Sequence, residues 1–168
     1  KKKDVKKLKL RKVKNVKIMN KFLLIFFFFF VINPVSAEIR SLKNPKVNVR
    51  LGPSKTYPIK FVYEKKYLPV VIIDEHYNWR KTKDYDNDTG WIHVSQLSKT
   101  KTTVTTKNNE IIFSSPSYYS KPKAKLEIHQ VLIIKECNVM WCEVKNSKIS
   151  GWIKKDRLWG IKEQGIKK

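Results

Sequence analysis

The residues of this chain whose types could do chemistry are three histidines, two cysteines and an alternating run of aspartates. They are His76, His93 and His129, Cys137 and Cys142, and Asp84, Asp86 and Asp88. Hydrolysis at a metal would need several of these at ligand spacing, and no histidine stands at such a spacing from a cysteine or another histidine. His76 falls in a predicted tight turn, His93 on a strand beside Trp91, and His129 near the start of a strand far along the chain. A thiol nucleophile such as Cys142 would need a histidine base beside it, and nothing in the order of residues brings the two together. The aspartates resemble calcium ligands only faintly, because the central glycine and terminal glutamate of a twelve-residue ion loop are missing. They read as a solvated turn. The expectation is therefore no catalytic residue, no metal, no cofactor and no enzymatic activity.

Cys137 and Cys142 enclose the four residues NVMW. A hairpin of that length sets two cysteines opposite each other on adjacent strands, and in an oxidising compartment such a pair bonds. The alternative is a pair of reduced thiols packed as small apolar groups. A C-x-x-C redox motif is absent.

Aromatic side chains offer the remaining chemistry. Strand alternation puts Trp79 and Lys81 on one face, and Trp91 and His93 opposite Ile92 and Val94. With Ile92, Val94 and Val144 facing a core, the tryptophans lie outward or in a groove. Trp79 is the better ligand candidate; Trp91 and Trp152 suit covering the end of a fold. Tyr57, Tyr63, Tyr77 and Tyr85 are positioned to enlarge an aromatic surface. Such surfaces suit extended peptides.

These residues sit on a repeated frame. DTGWIHVSQL at 88–97 returns as ISGWIKKDRL at 149–158, Trp79 as Trp141, PVVIIDE from Pro69 as QVLIIKE from Gln130, and Pro53-Ser54 as Pro116-Ser117, always 61 to 63 residues later. Within each copy, VVII and VLII are β-branched runs of strand length, and KDYDNDTG is a hairpin loop. TTVTT at 102–106 reads as a strand closing the first copy. No stretch after residue 37 carries a helical period. The prediction is all-β, as two tandem small barrels, with a single sandwich shared by both copies as the alternative.

Upstream of the repeats, FLLIFFFFFVI at 22–32 is too short an apolar run for a membrane span. Lysines precede it and NPVSA follows, with Val35 and Ala37 at the small-residue positions before Glu38. This is the pattern of a secretory signal peptide over residues 1–37, cleaved between Ala37 and Glu38. MNKFLLIFFFFFVINPVSA, beginning at Met19, has all its parts, so residues 1–18 are either a long basic leader or upstream of the true start. The net charge is +23, and residues 38–168 retain +13, from 26 basic and 13 acidic side chains. Such a surface attracts anionic membranes, acidic glycans and nucleic acid. The basic residues are scattered, however, and an A+T-rich gene would supply them regardless of function.

NVRLGPSKTYP (48–58), then PVVII, then NWRKTKDYDNDTGWIHVSQLS (78–98), resembles the bacterial SH3-like domain. The pattern of that family is an Asn-Val-Arg-x-Gly-Pro opening, a Pro-Val strand, a Trp strand and a Gly-Trp-Ile close. The resemblance covers 46–106 well and 109–160 more weakly, since IIFSSPS lacks the Asn, the Arg and the first Gly. It implies two five- or six-stranded barrels, at 38–107 and 108–162, followed by a tail at 163–168. It also implies a role outside the cytoplasm in binding cell-wall (peptidoglycan) peptides or envelope proteins. The expected ligand residues are Asn48, Arg50, Tyr57, Trp79 and Trp91. Since the second copy has Ile111, Phe113 and Ser115 where the first has Asn48, Arg50 and Gly52, recognition is expected in the first copy and support from the second. The other readings are a structural envelope adaptor and a basic nucleic-acid binder, the latter disfavoured by the signal peptide.

Overall fold

The computed structural model describes residues 38–161; the leader, its cleavage site at Ala37 and the tail lie outside them. Every regular element among the described residues is a strand or a single 3-10 turn. The first copy contributes β1 (Glu38–Leu42), β2 (Val47–Arg50), β3 (Ile59–Tyr63), β4 (Pro69–His76), β5 (Trp79–Lys83), β6 (Thr89–His93) and β7 (Leu97–Ser98). The second contributes β8 (Thr102–Thr105), β9 (Glu110–Phe113), β10 (Pro122–Leu126), β11 (Val131–Cys137), β12 (Trp141–Lys145), β13 (Ser150–Lys154) and β14 (Leu158–Trp159). Each copy makes its own sheet, in the orders β3-β2-β6-β5-β4-β1-β7 and β10-β9-β13-β12-β11-β8-β14. The two orders are the same once numbered within each copy. The fold is thus two SH3-like lobes, not one shared sandwich. Each sheet has seven strands and stays open between its end strands, where small closed barrels of five or six strands were expected.

One strand belongs elsewhere than its sequence suggested. β8, the TTVTT segment, does not close the first lobe; it opens the second, pairing antiparallel with β11 and β14 as β1 pairs with β4 and β7. High β propensity identified a strand but not its sheet, which is decided by partners far away in sequence.

The repeated Gly-Trp-Ile has a geometric explanation. Ile92 and Ile153 fill the two cores. A Cβ on Gly90 would run into Val49 Cγ1 of β2, and one on Gly151 into the Phe113 carbonyl of β9, so glycine lets neighbouring strands cross closely. The tryptophans then stand outward, opposite Arg50 and Phe113. Alternation ends at His93, because Val94 starts a 3-10 turn and is half-buried where a core position was expected.

Core patterning is clearest on β2, where Val47 and Val49 are buried and Asn48 and Arg50 face out. With Leu42, Leu68, Val70 and Ile92 the two valines form the first core, which also takes in Val104 from β8 of the second lobe. Val131 and Trp159, again from the second lobe, pack against the same cluster. Gly160, at φ +84°, holds a backbone conformation that favours glycine and brings the chain close against Pro69, whose Cβ a side chain would meet at 3.0 Å. Tyr85 stacks at 4.2 Å on His129, and Lys65 Nζ donates to the His129 carbonyl at 2.8 Å. The lobes therefore share apolar interior as well as surface.

Candidate functional site

The outward side chains of β2 converge with those of β5 and β6. Lys46, Asn48 and Arg50 alternate along one face, Trp79 stands directly across from His93, and their rings meet edge to face at 5.3 Å. Lys55 and Gln96 complete a groove of about 540 Å3. Arg50 is steadied by donating from Nη1 to the Tyr57 carbonyl at 2.7 Å. Gln96 is held by the Asn44 amide at 2.7 Å, and His93 Nδ1 lies 2.8 Å from Ser95 Oγ. Among the described residues, no carboxylate lines the groove. The nearest ion pair on these cations, Lys46 to Glu64 at 3.6 Å, is exposed and weak. Three permanent cations around one indole make a site for an anionic ligand with a flat or apolar portion.

Of the residues expected at the site, Asn48, Arg50 and Trp79 come together in this groove. Trp91 shares the outer face, opposite Arg50 and Lys81, but does not line the groove. Tyr57 acts through its backbone, while its ring lies against Gly52. Tyr63 and Tyr85 do not extend an aromatic surface, since both pack on the first core. Tyr77 does not either, being exposed at the β4–β5 turn. Lys46 was legible from its alternation with Asn48 and Arg50. His93 required the β5–β6 register, and Lys55 and Gln96 lie in a loop and a 3-10 turn that carry no periodic signal.

The residues singled out for catalysis have other roles. His76 ends β4, paired with Trp79, rather than sitting in the turn. His129 lies in a turn with φ 57°. Asp84 is not solvated: it is 5% exposed and accepts hydrogen bonds from the backbone of Asp86 and Asp88 and from the Tyr63 hydroxyl, at 3.0, 2.9 and 2.8 Å. It organises the β5–β6 loop as a side-chain cap. Burial, then the bond to Asp84, pushes the Tyr63 phenol well above its ordinary range. Cys137 and Cys142 form the disulfide, across the non-covalent pairing of β11 and β12. Among the described residues no three His, Cys, Asp or Glu side chains gather as a metal site.

The second lobe has a matching depression of about 370 Å3, around Trp141, Phe113 and Tyr118. Trp141 is 7% exposed and packs edge to face against Phe113 and Tyr118, at 5.8 and 5.0 Å.

Residues 43–99 and 106–160 each match the family described as Bacterial SH3 domain. The chain belongs to the bacterial SH3 family, in two tandem copies. The second match confirms that IIFSSPS, despite its lost polar residues, opens a true family unit. No curated protein matches the chain. Among solved structures, it is similar to NlpC2 from Trichomonas vaginalis, with 16% identity and a TM-score of 0.34 over 75% of this chain and 49% of that one. It is also similar to NlpC1 from the same organism, with 18% identity and a TM-score of 0.33 over 73% and 45%. The chain thus spans about half the length of those proteins. Among the described residues, no helix is long and apolar enough to cross a membrane.

Proposed function

We propose that this bacterial SH3 protein is an exported, non-enzymatic binder whose first-lobe groove takes a cell-wall peptide through its carboxylates. The observation that carries the reading is the groove itself, with Arg50, Lys46 and Lys55 around Trp79 and no acid among its lining residues. Membership of the bacterial SH3 family supports wall-associated binding as the general role. Export is supported by the leader sequence and by a disulfide, which oxidising compartments favour. A binding role without catalysis is supported by the cysteines, whose pairing leaves neither as a nucleophile, and by histidines that serve turns and packing.

Co-sedimentation with purified cell wall across a salt series tests this. Binding should weaken as salt rises, since carboxylates and cations are screened. Trp79→Ala should weaken binding by about 1–2 kcal/mol, the scale of an interface anchor, while the protein stays folded. Arg50→Gln should act in the same direction. Trp141→Ala, at a buried ring, should lower stability by about 3 kcal/mol instead. Wall binding that survives Trp79→Ala but is abolished by Trp141→Ala in folded protein would overturn the assignment.

A further inference from the structure

The two depressions are the same site, written in different side chains. Phe113 faces Trp152 in the β9–β13 pairing, as Arg50 faces Trp91 between β2 and β6. Lys154 faces Trp141 as His93 faces Trp79. Arg157 occupies the second lobe's 3-10 turn as Gln96 does the first's, and their carbonyls accept from equivalent amides, of Thr106 and Lys43. Within this shared frame the floor changes from polar to apolar. Asn48 becomes Ile111, Arg50 becomes Phe113, and Lys55 in the SKTYP loop becomes Tyr118 in SYYSK.

Two observations point outward from that floor. Tyr118 is 57% exposed although it touches Phe113 and Trp141, and the adjacent Tyr119 is fully in solvent. An exposed aromatic ring lining an apolar depression, with a second exposed ring next to it in the chain, marks a contact surface rather than a packing need. The rim is also cationic. Lys107, Lys154 and Arg157 surround it; Arg157 meets Glu110 and Asp156, each at a loose 3.6 Å, which leaves Lys107 and Lys154 as the cations with no ion pair among the described residues. Lys154 Nζ rests 5.3 Å from the centre of the Tyr118 ring. A carboxylate arriving beside the ring would draw this ammonium aside and uncover the aromatic face.

We propose that the second-lobe groove docks an extended acidic polypeptide segment that seats one large apolar side chain against Tyr118 and Phe113. The occupant is a polypeptide because the floor suits a bulky apolar side chain and the rim suits the carboxylates flanking it. With the first groove lined by cations and lacking this floor, the protein carries two unlike sites at one position of a duplicated fold. The second-site assignment does not depend on what the first groove binds.

The test is a titration of 15N-labelled protein with the blocked peptide acetyl-Glu-Glu-Phe-Glu-Glu-amide, followed residue by residue by NMR. Shifts should centre on Phe113, Tyr118, Lys154 and the Trp141 indole. Replacing the peptide's Phe by Ala should weaken binding about tenfold or more, as removal of an anchor does. With affinity read from the second-lobe shifts alone, Tyr118→Ala and, separately, Lys154→Glu should each weaken it about tenfold. Lys154→Glu retains the aromatic cluster, so its effect does not rest on Tyr118→Ala remaining well packed. Any of four results would overturn the proposal: no shifts at millimolar peptide; equal binding of the Phe and Ala peptides; tighter binding of a soluble N-acetylglucosamine oligomer at the same residues; or a dimer of this chain that Tyr118→Ala dissociates. Failure here leaves the wall assay on Trp79 and Arg50 untouched, so the two readings fail separately.

Discussion

Asp84, held by the Tyr63 hydroxyl, shows how one buried carboxylate can fix a loop between two strands. Replacing Asp84 by Ala removes an acceptor shared by two backbone amides and one phenol, and should cost about 2–3 kcal/mol of stability. Chemical denaturation read at the Trp79 indole would measure it. The same pair gives a pH dependence. The folded state holds the Tyr63 phenol above its ordinary value of 10.0, first by burial and then by the bond to Asp84. The neutral phenol is therefore favoured by folding, so the contribution is complete below about pH 10 and is lost as pH rises through the folded value. Melting temperature should begin to fall as pH rises past about 10 and continue to fall above it, and Tyr63→Phe should flatten that fall. A slope unchanged by Tyr63→Phe would overturn that attribution. From the sequence, Asp84 was indistinguishable from Asp86 and Asp88. Only the approach of β3, about twenty residues away in the chain, selects it.

Hairpins and edges govern the next scale. The disulfide closes the β11–β12 hairpin, whose turn is also held by Asn138 Oδ1 accepting from the Met140 and Trp141 amides. Closing so short a loop limits the unfolded chain only a little, so Cys137→Ser with Cys142→Ser should cost about 2 kcal/mol and leave the fold intact. Calorimetry of the double variant, beside reduced wild-type protein, would check this. The equivalent β4–β5 hairpin has no bridge and turns through Tyr77 and Asn78. Strand identity was legible in the sequence here because VVII and VLII are β-branched runs inside β4 and β11, and the spacing of the landmarks aligned the copies. Sheet membership was less so. TTVTT lies between the copies, and local β propensity carries no information about which edge will accept it. The groove was half legible for the same reason: Asn48, Arg50 and Trp79 follow from motif and alternation, whereas Lys55, His93 and Gln96 join through register and loop geometry.

At the scale of the whole molecule, the lobes are distinct sheets with a shared interior. Val104 is fully buried within the first core, though its strand hydrogen-bonds only in the second sheet. Val104→Ala should therefore cost about 2 kcal/mol and lower one common transition, not that of the second lobe alone. A fragment ending at Thr100 keeps every strand of the first sheet but loses Val104, Val131 and Trp159 from its core. It should show much weaker amide protection than the same residues in the whole chain, which hydrogen exchange would measure.

The burial of Val104 and Trp159 against the first core also sets a timetable. Chains are made from the amino end, and an ordinary tandem array completes each unit before the next emerges. Here β14, the last strand among the described residues, supplies part of the cover for the first core assembled. The earlier lobe must wait, incompletely sealed, until the second lobe has appeared as well. A chain threaded through a narrow passage by its leading end would stay pliable until its second lobe had followed the first, and only then set firm.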